Sequence, residues 1–184
     1  MIELRGDSVL LRGFRPEEVG SALERMQSLP ASELDEDERR ERRERIERSG
    51  TRGGWEIMLA IEVDGRLVGD VQGRCPRFAL PRGVWELGIE LWDEADRGRG
   101  FGTQAVALLS AYLFDREDAI RVQATTDVDN APMRGVLGRL GFEFEGVLRG
   151  FMPDAGGRPR DYAMYGLTEA AWNDDVRGAW TQTS

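Results

Sequence analysis

Arg97, Gly98, Arg99, Gly100, Phe101, Gly102 and Thr103 form the stretch of this chain best suited to chemistry. It stands between an alternating segment, 84–92, that reads as a strand and a segment, 104–114, that reads as a helix. A glycine-rich turn at a helix start presents backbone N–H groups that have no intrahelical partner, at the positive end of the helix dipole. Such a turn suits a phosphate anion. The three glycines permit unusual dihedrals and a close approach by a ligand. Arg97 and Arg99 add guanidinium groups that can fork onto phosphate oxygens. The competing reading is an ordinary strand-to-helix turn.

The anion narrows by elimination. A Walker-type loop needs Lys followed by Ser or Thr. All 25 basic residues here are Arg, so that loop is excluded. Gly100 to Ala105 does fit the dinucleotide pattern G-x-G-x-x-A, with Asp127 after the next strand as its ribose-binding acid. That pattern usually follows a buried parallel strand with a near-continuous apolar run. Here the strand alternates, with Trp85, Leu87, Ile89 and Leu91 set against Glu86, Gly88 and Glu90. A nucleotide-binding domain therefore stands as the second reading.

Four motifs in order resemble the GNAT N-acetyltransferase superfamily, in its RimJ/RimL-type branch. Arg97 to Gly102 matches the acetyl-CoA loop pattern Gln/Arg-x-x-Gly-x-Gly/Ala at each fixed position. The segment 130–142 (NAPMRGVLGRLGF) with Glu145 and Gly146 is similar to the family's N-x-x-S-x-x-x-L-x-x-L-G-F-x-x-E-G block. Glu86 to Ile89 and Asp161 to Leu167 look like the same branch. The resemblance spans roughly 8–172. It implies an α/β fold with a mixed, largely antiparallel sheet of about seven strands, helices on both faces, and a splayed strand pair at the acetyl-CoA site. It implies one domain over 1–172, a tail over 173–184, and room for a homodimer.

The activity so implied is acetyl transfer from acetyl-CoA to a primary amine, on a peptide N-terminus, a small molecule or an antibiotic, with no metal. The glycine loop, Arg97 through Thr103, would hold the pyrophosphate. The backbone at Leu91 and Trp92 would bond the pantetheine arm and polarise the thioester. Asn130 would bond the cofactor; it also suits the N-cap of the short helix that it begins, and the two roles are compatible. Two familiar groups are missing. The family's Tyr seven residues after this Asn is Leu137, and the branch's Ser three residues after it is Met133. Tyr162 and Tyr165 could replace them or simply pack. An acyl-CoA-binding module without catalysis is a third reading.

An alkyl ammonium must lose a proton before it attacks. With no His in the chain, the candidate bases are carboxylates, a tyrosine or a water chain. Glu86 is the expected general base, sharing a strand face with Gly88 and Glu90. Its alternative is a structural carboxylate paired with an arginine. Glu90, Asp127 and Asp129 add negative charge near the gap, which would draw a cationic acceptor, with Glu90 and Asp127 as substrate-binding residues.

Composition narrows the class. The 184 residues suffice for one domain with a single core. The single Cys75 forms no intrachain disulfide, favouring the cytoplasm. The first residues carry charge among their apolar positions and do not read as a signal peptide, and no run suits a membrane span. A net charge of −9 argues against non-specific nucleic-acid binding.

The elements that must position the loop follow from pattern. Strands are expected at 8–14, 55–63, 66–73, 84–92, 120–127, 142–151 and 162–167. Helices are expected at 16–27, 32–48, 104–114 and 130–140. Ser32 is the expected N-cap of the charged second helix, a solvated helix or a cover for the substrate site. Its acids and arginines are spaced to pair as Glu38–Arg42, Glu41–Arg45 and Glu44–Arg48. Asp64-Gly65 signals a tight hairpin. Gly141 is the expected C-cap of the fourth helix. Gly135 and Gly138 suggest a close approach there.

Overall fold

The computed structural model describes residues 1–26, 34–52, 54–75, 81–154 and 156–172. Eight strands form one sheet: β1 (Glu3–Arg5), β2 (Leu10–Arg12), β3 (Glu56–Val63), β4 (Arg66–Arg74), β5 (Val84–Leu91), β6 (Arg121–Asp127), β7 (Glu143–Pro153) and β8 (Pro159–Thr168). Their spatial order is β1-β2-β3-β4-β5-β6-β8-β7. Every neighbouring pair is antiparallel except β5–β6. The mixed sheet is the expected one with an extra edge strand. β1 has only three residues, too few to show alternation. The tail over 173–184 lies outside the described residues.

Four α-helices flank the sheet: α1 (Val19–Arg25), α2 (Glu36–Glu47), α3 (Phe101–Arg116) and α4 (Ala131–Arg139). The larger core cluster joins α3 and α4 to one face through Ile57, Leu59, Val71, Leu87, Val122 and their neighbours. The smaller joins α1 and Ile46 of α2 to Met58 and Ala60 on the other. Alternation explains the division, since Ile57 and Leu59 point one way from β3 and Met58 and Ala60 the other. Fully buried Val106, Leu109 and Leu113 anchor α3, each worth roughly 1.5–3 kcal/mol. No helix among the described residues is long and apolar enough to cross a membrane.

Local signals account for most of the boundaries. Asp64 and Gly65 both have positive φ, 50° and 75°, as a two-residue hairpin turn requires. Gly141, φ 75°, follows α4, and Phe142 N–H closes onto the Leu137 carbonyl at 3.0 Å. Two expectations for α2 are corrected. Its N-cap is Asp35, which accepts from Glu38 N–H at 2.8 Å while Glu38 accepts from Asp35 N–H at 3.0 Å. Ser32 lies outside the described residues. Arg45 bonds Glu56 of β3 rather than Glu41, and Arg48 bonds the Glu44 carbonyl rather than its carboxylate. A sheet carboxylate at 13% side-chain exposure holds Arg45 better than a solvated helical one.

Gly69 sets the distance between β4 and β5. A Cβ there would lie 2.1 Å from the Glu90 carbonyl oxygen and 3.1 Å from Leu91 Cα. Only backbone can yield, so Gly69→Ala must push β5 away. Overpacking of this kind costs on the order of 2 kcal/mol or more. We expect Gly69→Ala to lower the thermal unfolding midpoint by several degrees, measured by circular dichroism; an unchanged midpoint would contradict this packing.

Candidate active site

β5 and β6 pair for only four residues each, Val84–Leu87 against Arg121–Ala124. Beyond that, β5 stays on β4 as far as Leu91, and β6 stays on β8 as far as Asp127. The two strands part, leaving a gap whose walls are 88–91 and 125–127. Extending the register by three residues would put Glu90 opposite Asp127, so these two expected residues flank the gap. Backbone groups along a parted strand need partners from elsewhere. The gap is the expected splay. It also removes the dinucleotide reading, because β5 lies in a mixed, largely antiparallel sheet and not in a doubly wound parallel one.

The glycine loop closes the gap's open end. A 3-10 turn over Glu94–Asp96 leads into it. Asp96 is 1% exposed and accepts from Arg66 at 2.6 and 3.0 Å. Arg66 holds its carboxyl below the usual range. Gly98 and Gly100 have φ of 72° and 87°, which favours glycine, and a Cβ on either would meet nothing within 4 Å. Gly100 is the N-cap of α3 and starts the helix three residues earlier than expected. The first backbone bond of the helix joins Gln104 N–H to the Gly100 carbonyl at 3.0 Å. The N–H groups of Phe101, Gly102 and Thr103 therefore have no intrahelical acceptor. This cradle fits a pyrophosphate. Arg97 donates to the Leu91 carbonyl at 3.2 Å, and the Arg99 guanidinium lies 4.8 Å from the Phe101 ring centre.

Two residues expected at the cofactor have protein partners of their own. Trp92 donates its backbone N–H to Val68 at 3.1 Å and so keeps it within the sheet. Its ring is buried, stacked on Phe14 and covered by Arg25. Asn130 caps α4, its Oδ1 accepting from Met133 N–H at 3.2 Å. The cap uses the oxygen and leaves the amide NH2 for another partner.

Alternation gathers the polar side chains of β3 to β6 on the face toward α1 and α2. Glu86, 33% exposed, pairs with Arg74 at 3.5 Å, which is the arginine-paired arrangement weighed against a base. Asp127 accepts from Arg160 at 3.0 and 3.2 Å, and Asp129 shares the same arginine at 2.6 Å. Arg160 holds the Asp127 carboxyl below its usual range. Two of the acids expected to draw a cation are thus already neutralised. Met133 is half-buried against the core and Leu137 is fully buried. Tyr165 is buried, accepts from Arg134 at 3.2 Å and packs edge-on to Phe144; Tyr162 packs on Phe151. Gly138 has no neighbour within 4 Å of a Cβ, and Gly135 has only the Arg139 side chain at 3.5 Å. Among the described residues no close approach explains either glycine.

The desolvated carboxylate of this face is Asp70, on β4, which the sequence reading missed. It is 2% exposed, directly opposite Glu90, and accepts from Gln72 Nε2 at 2.7 Å and Trp92 Nε1 at 3.3 Å. Burial, with Glu90 adding to it, pushes its carboxyl up to about 6. The available signal was one acid inside an apolar strand, Leu67 to Val71. Between about pH 4 and 6 the folded chain keeps a proton here that the unfolded chain releases, so this group's contribution to stability falls as pH rises through 6. At about 1.4 kcal/mol per unit, the charged form costs on the order of 2–3 kcal/mol above that range. Asparagine keeps only one of the two accepting oxygens, so we expect the pH dependence rather than the sign to be diagnostic: the midpoint of Asp70→Asn relative to the parent should be several degrees more favourable at about pH 8 than at about pH 4.5. An equal difference at both values would contradict the burial of a charge here.

Comparison with known proteins agrees with this geometry. The acetyltransferase (GNAT) domain model matches residues 8–143. An uncharacterized N-acetyltransferase of Bacillus licheniformis, p20, is 34% identical over 83 residues, covering 45% of this chain and 43% of that protein. The chain thus matches less than half the length of that relative. RimJ of Mycobacterium smegmatis, in complex with CoA-disulfide, superposes with a TM-score of 0.72 at 22% identity, over 96% of this chain and 90% of that one. The ribosomal alpha-N-protein acetyltransferase RimL, in complex with coenzyme A, superposes with a TM-score of 0.70 at 20% identity, over 92% and 99%. At such identities these likenesses concern the fold, while the domain match covers well over half of the sequence. The chain belongs to the acetyltransferase (GNAT) domain family.

Proposed function

We propose that this protein is an N-acetyltransferase that uses acetyl-CoA to acetylate a primary amine by direct attack in a ternary complex. The observation that carries this reading is the parting of β5 from β6 after four residue pairs, with the glycine cradle of α3 at the open end. A peptide N-terminus is the favoured acceptor, because RimL, a fold neighbour, is named for alpha-N-protein acetylation. Small-molecule amines are the alternative.

Acetyl-CoA, when bound, supplies an acetyl group activated as a thioester. The free N–H groups of Phe101, Gly102 and Thr103 would hold its pyrophosphate, with Gly98 and Gly100 leaving the approach clear. Arg97 and Arg99 would add charge-assisted bonds, Arg97 by exchanging the Leu91 carbonyl for a phosphate oxygen. The parted edge of β5 up to Leu91 would bond the pantetheine amides, and Asn130 would contribute its amide NH2. Glu86 would meet the acceptor beside Gly88, whose absent side chain leaves room. Glu90 and Asp127 would flank the amine. With no His in the chain, a carboxylate, a tyrosine or a water chain would take the amine's proton.

The test is thermal shift with acetyl-CoA and with NAD(P), followed by thiol release with a panel of short peptides and simple amines. Stabilisation by acetyl-CoA and amine-dependent thiol release are expected. Stabilisation by NAD(P) alone, or no thiol release with any acceptor, would overturn the reading. Arg97→Ala should weaken acetyl-CoA binding roughly 10- to 100-fold, the equivalent of about 1.5–3 kcal/mol. Gly100→Val should also weaken it, partly because its backbone at φ 87° resists a β-branched residue. Calorimetric affinities equal to the parent's would remove the loop from the site.

A further inference from the structure

The carboxylates on the polar face do not have equal surroundings. Glu56 is bonded by Arg45, Glu86 by Arg74 and Asp127 by Arg160. Asp70, the most deeply buried of them, accepts among the described residues from the amide of Gln72 and the indole of Trp92, both neutral. Among the described residues no guanidinium donates to it. A buried carboxylate without a bonded cation is costly. The two donors reach different oxygens, Gln72 at Oδ2 and Trp92 at Oδ1, so the carboxyl holds both groups, but neither supplies the positive charge that would offset its ionised form.

Position suggests what the acid does. Asp70 and Glu90 are directly paired residues of β4 and β5, so their side chains leave the sheet on the same face. Glu90 is only half-buried and stands on the stretch of β5 that has parted from β6. The pair therefore runs from the gap into the enclosed space beneath α1 and α2. Other charged groups surround it at longer range. Arg45 and Arg42 of α2 act on Asp70, Arg42 also acts on Glu90, and Arg25 covers the Trp92 ring. Arg45 is committed to Glu56 and Gln72, so its pull on Asp70 is indirect.

We infer that Asp70 is the final acceptor of the proton lost by the acceptor amine, with Glu90 carrying that proton from the gap to Asp70. The inference rests on the N-acetyltransferase reading and adds the proton's route to it. An ammonium at the gap gives one proton to Glu90, which passes it to Asp70, leaving Glu90 ionised and Asp70 neutral. The free amine then attacks the thioester carbonyl, so a C–N bond forms and the C–S bond breaks. The second N–H proton neutralises the departing thiolate, giving the amide and a free thiol. Asp70 returns its proton to solvent through Glu90 when products leave. Asp70 does not touch the substrate and acts through its neighbour; Gln72 and Trp92 hold it in place.

The test uses the full chain with Asp70→Asn, Glu90→Gln and Glu86→Gln variants. Carbon-detected NMR of labelled aspartates would follow the Asp70 carboxyl directly. It should titrate near neutrality in the parent and at lower pH in Glu90→Gln, which lacks the facing charge. Asp70→Asn should lower kcat by roughly 100-fold with short peptide acceptors and remove the acidic limb of the pH–rate profile. Its calorimetric affinity for acetyl-CoA should stay near the parent's. Glu86→Gln should alter acceptor KM and retain that limb. An Asp70 carboxyl that titrates in the ordinary aspartate range, or an Asp70→Asn variant that keeps its rate and limb, would overturn the inference. A parent protein that neither binds acetyl-CoA nor releases thiol would instead overturn the acetyltransferase reading beneath it.

Discussion

Everything at the site depends on the backbone of β5 having a partner on only one side beyond Leu87. β4 holds it through Leu91, and the contact at Gly69 brings the two backbones close. β6 is held by β8 along its whole length and follows that strand instead. A parallel pair between two antiparallel blocks is the place where such a sheet can open. Opening exposes backbone donors and acceptors that folding would otherwise pair. A ligand with amide groups along an extended arm can satisfy them. The same parting delivers the chain from the end of β5 into the cradle at α3, so the two halves of the candidate site share one cause.

A second constraint is charge. All basic side chains are arginine, and on the polar face they pair with acids one after another. The broad negative field that the acids alone would suggest is thereby reduced to a local one. Asp127 and Asp129 share Arg160, and the Asp70–Glu90 couple lies on the same face within the field of Arg42 and Arg45. Burying Asp70 without a bonded cation works against stability while raising its affinity for a proton. That exchange of stability for reactivity is common where carboxyl groups handle protons near neutral pH.

α2 joins these features. It is mostly polar, with Ile46 its one buried residue, so packing alone holds it lightly. Arg45 ties it to Glu56 and reaches Gln72, which in turn donates to Asp70. A helix that sequence alone would leave as a solvated rod is attached by a polar chain to the floor of the site. Displacing it would disturb both the Gln72 amide and the packing of Ile46 with Met58 and Ala60.

The sequence by itself determined the glycine cradle, the order of strands and helices from β2 onward, the Asp64-Gly65 turn and the Gly141 cap. Each rests on local chemistry: dihedrals that glycine permits, alternation along a strand, the stripe of α4. The family resemblance was legible for the same reason, because its motifs are local. Only the tertiary structure decided which acids are neutralised, since Arg74–Glu86 and Arg160–Asp127 join residues far apart in the chain. It decided that Trp92 spends its N–H on Val68, and that Asn130 spends its oxygen on Met133. It also decided that Asp70 is enclosed. Along the chain, Asp70 is one acid in a short apolar strand, and nothing local says that Trp92, Gln72 and Glu90 will converge on it. Burial and long-range pairing set a carboxylate's chemistry, and both are properties of the packed sheet.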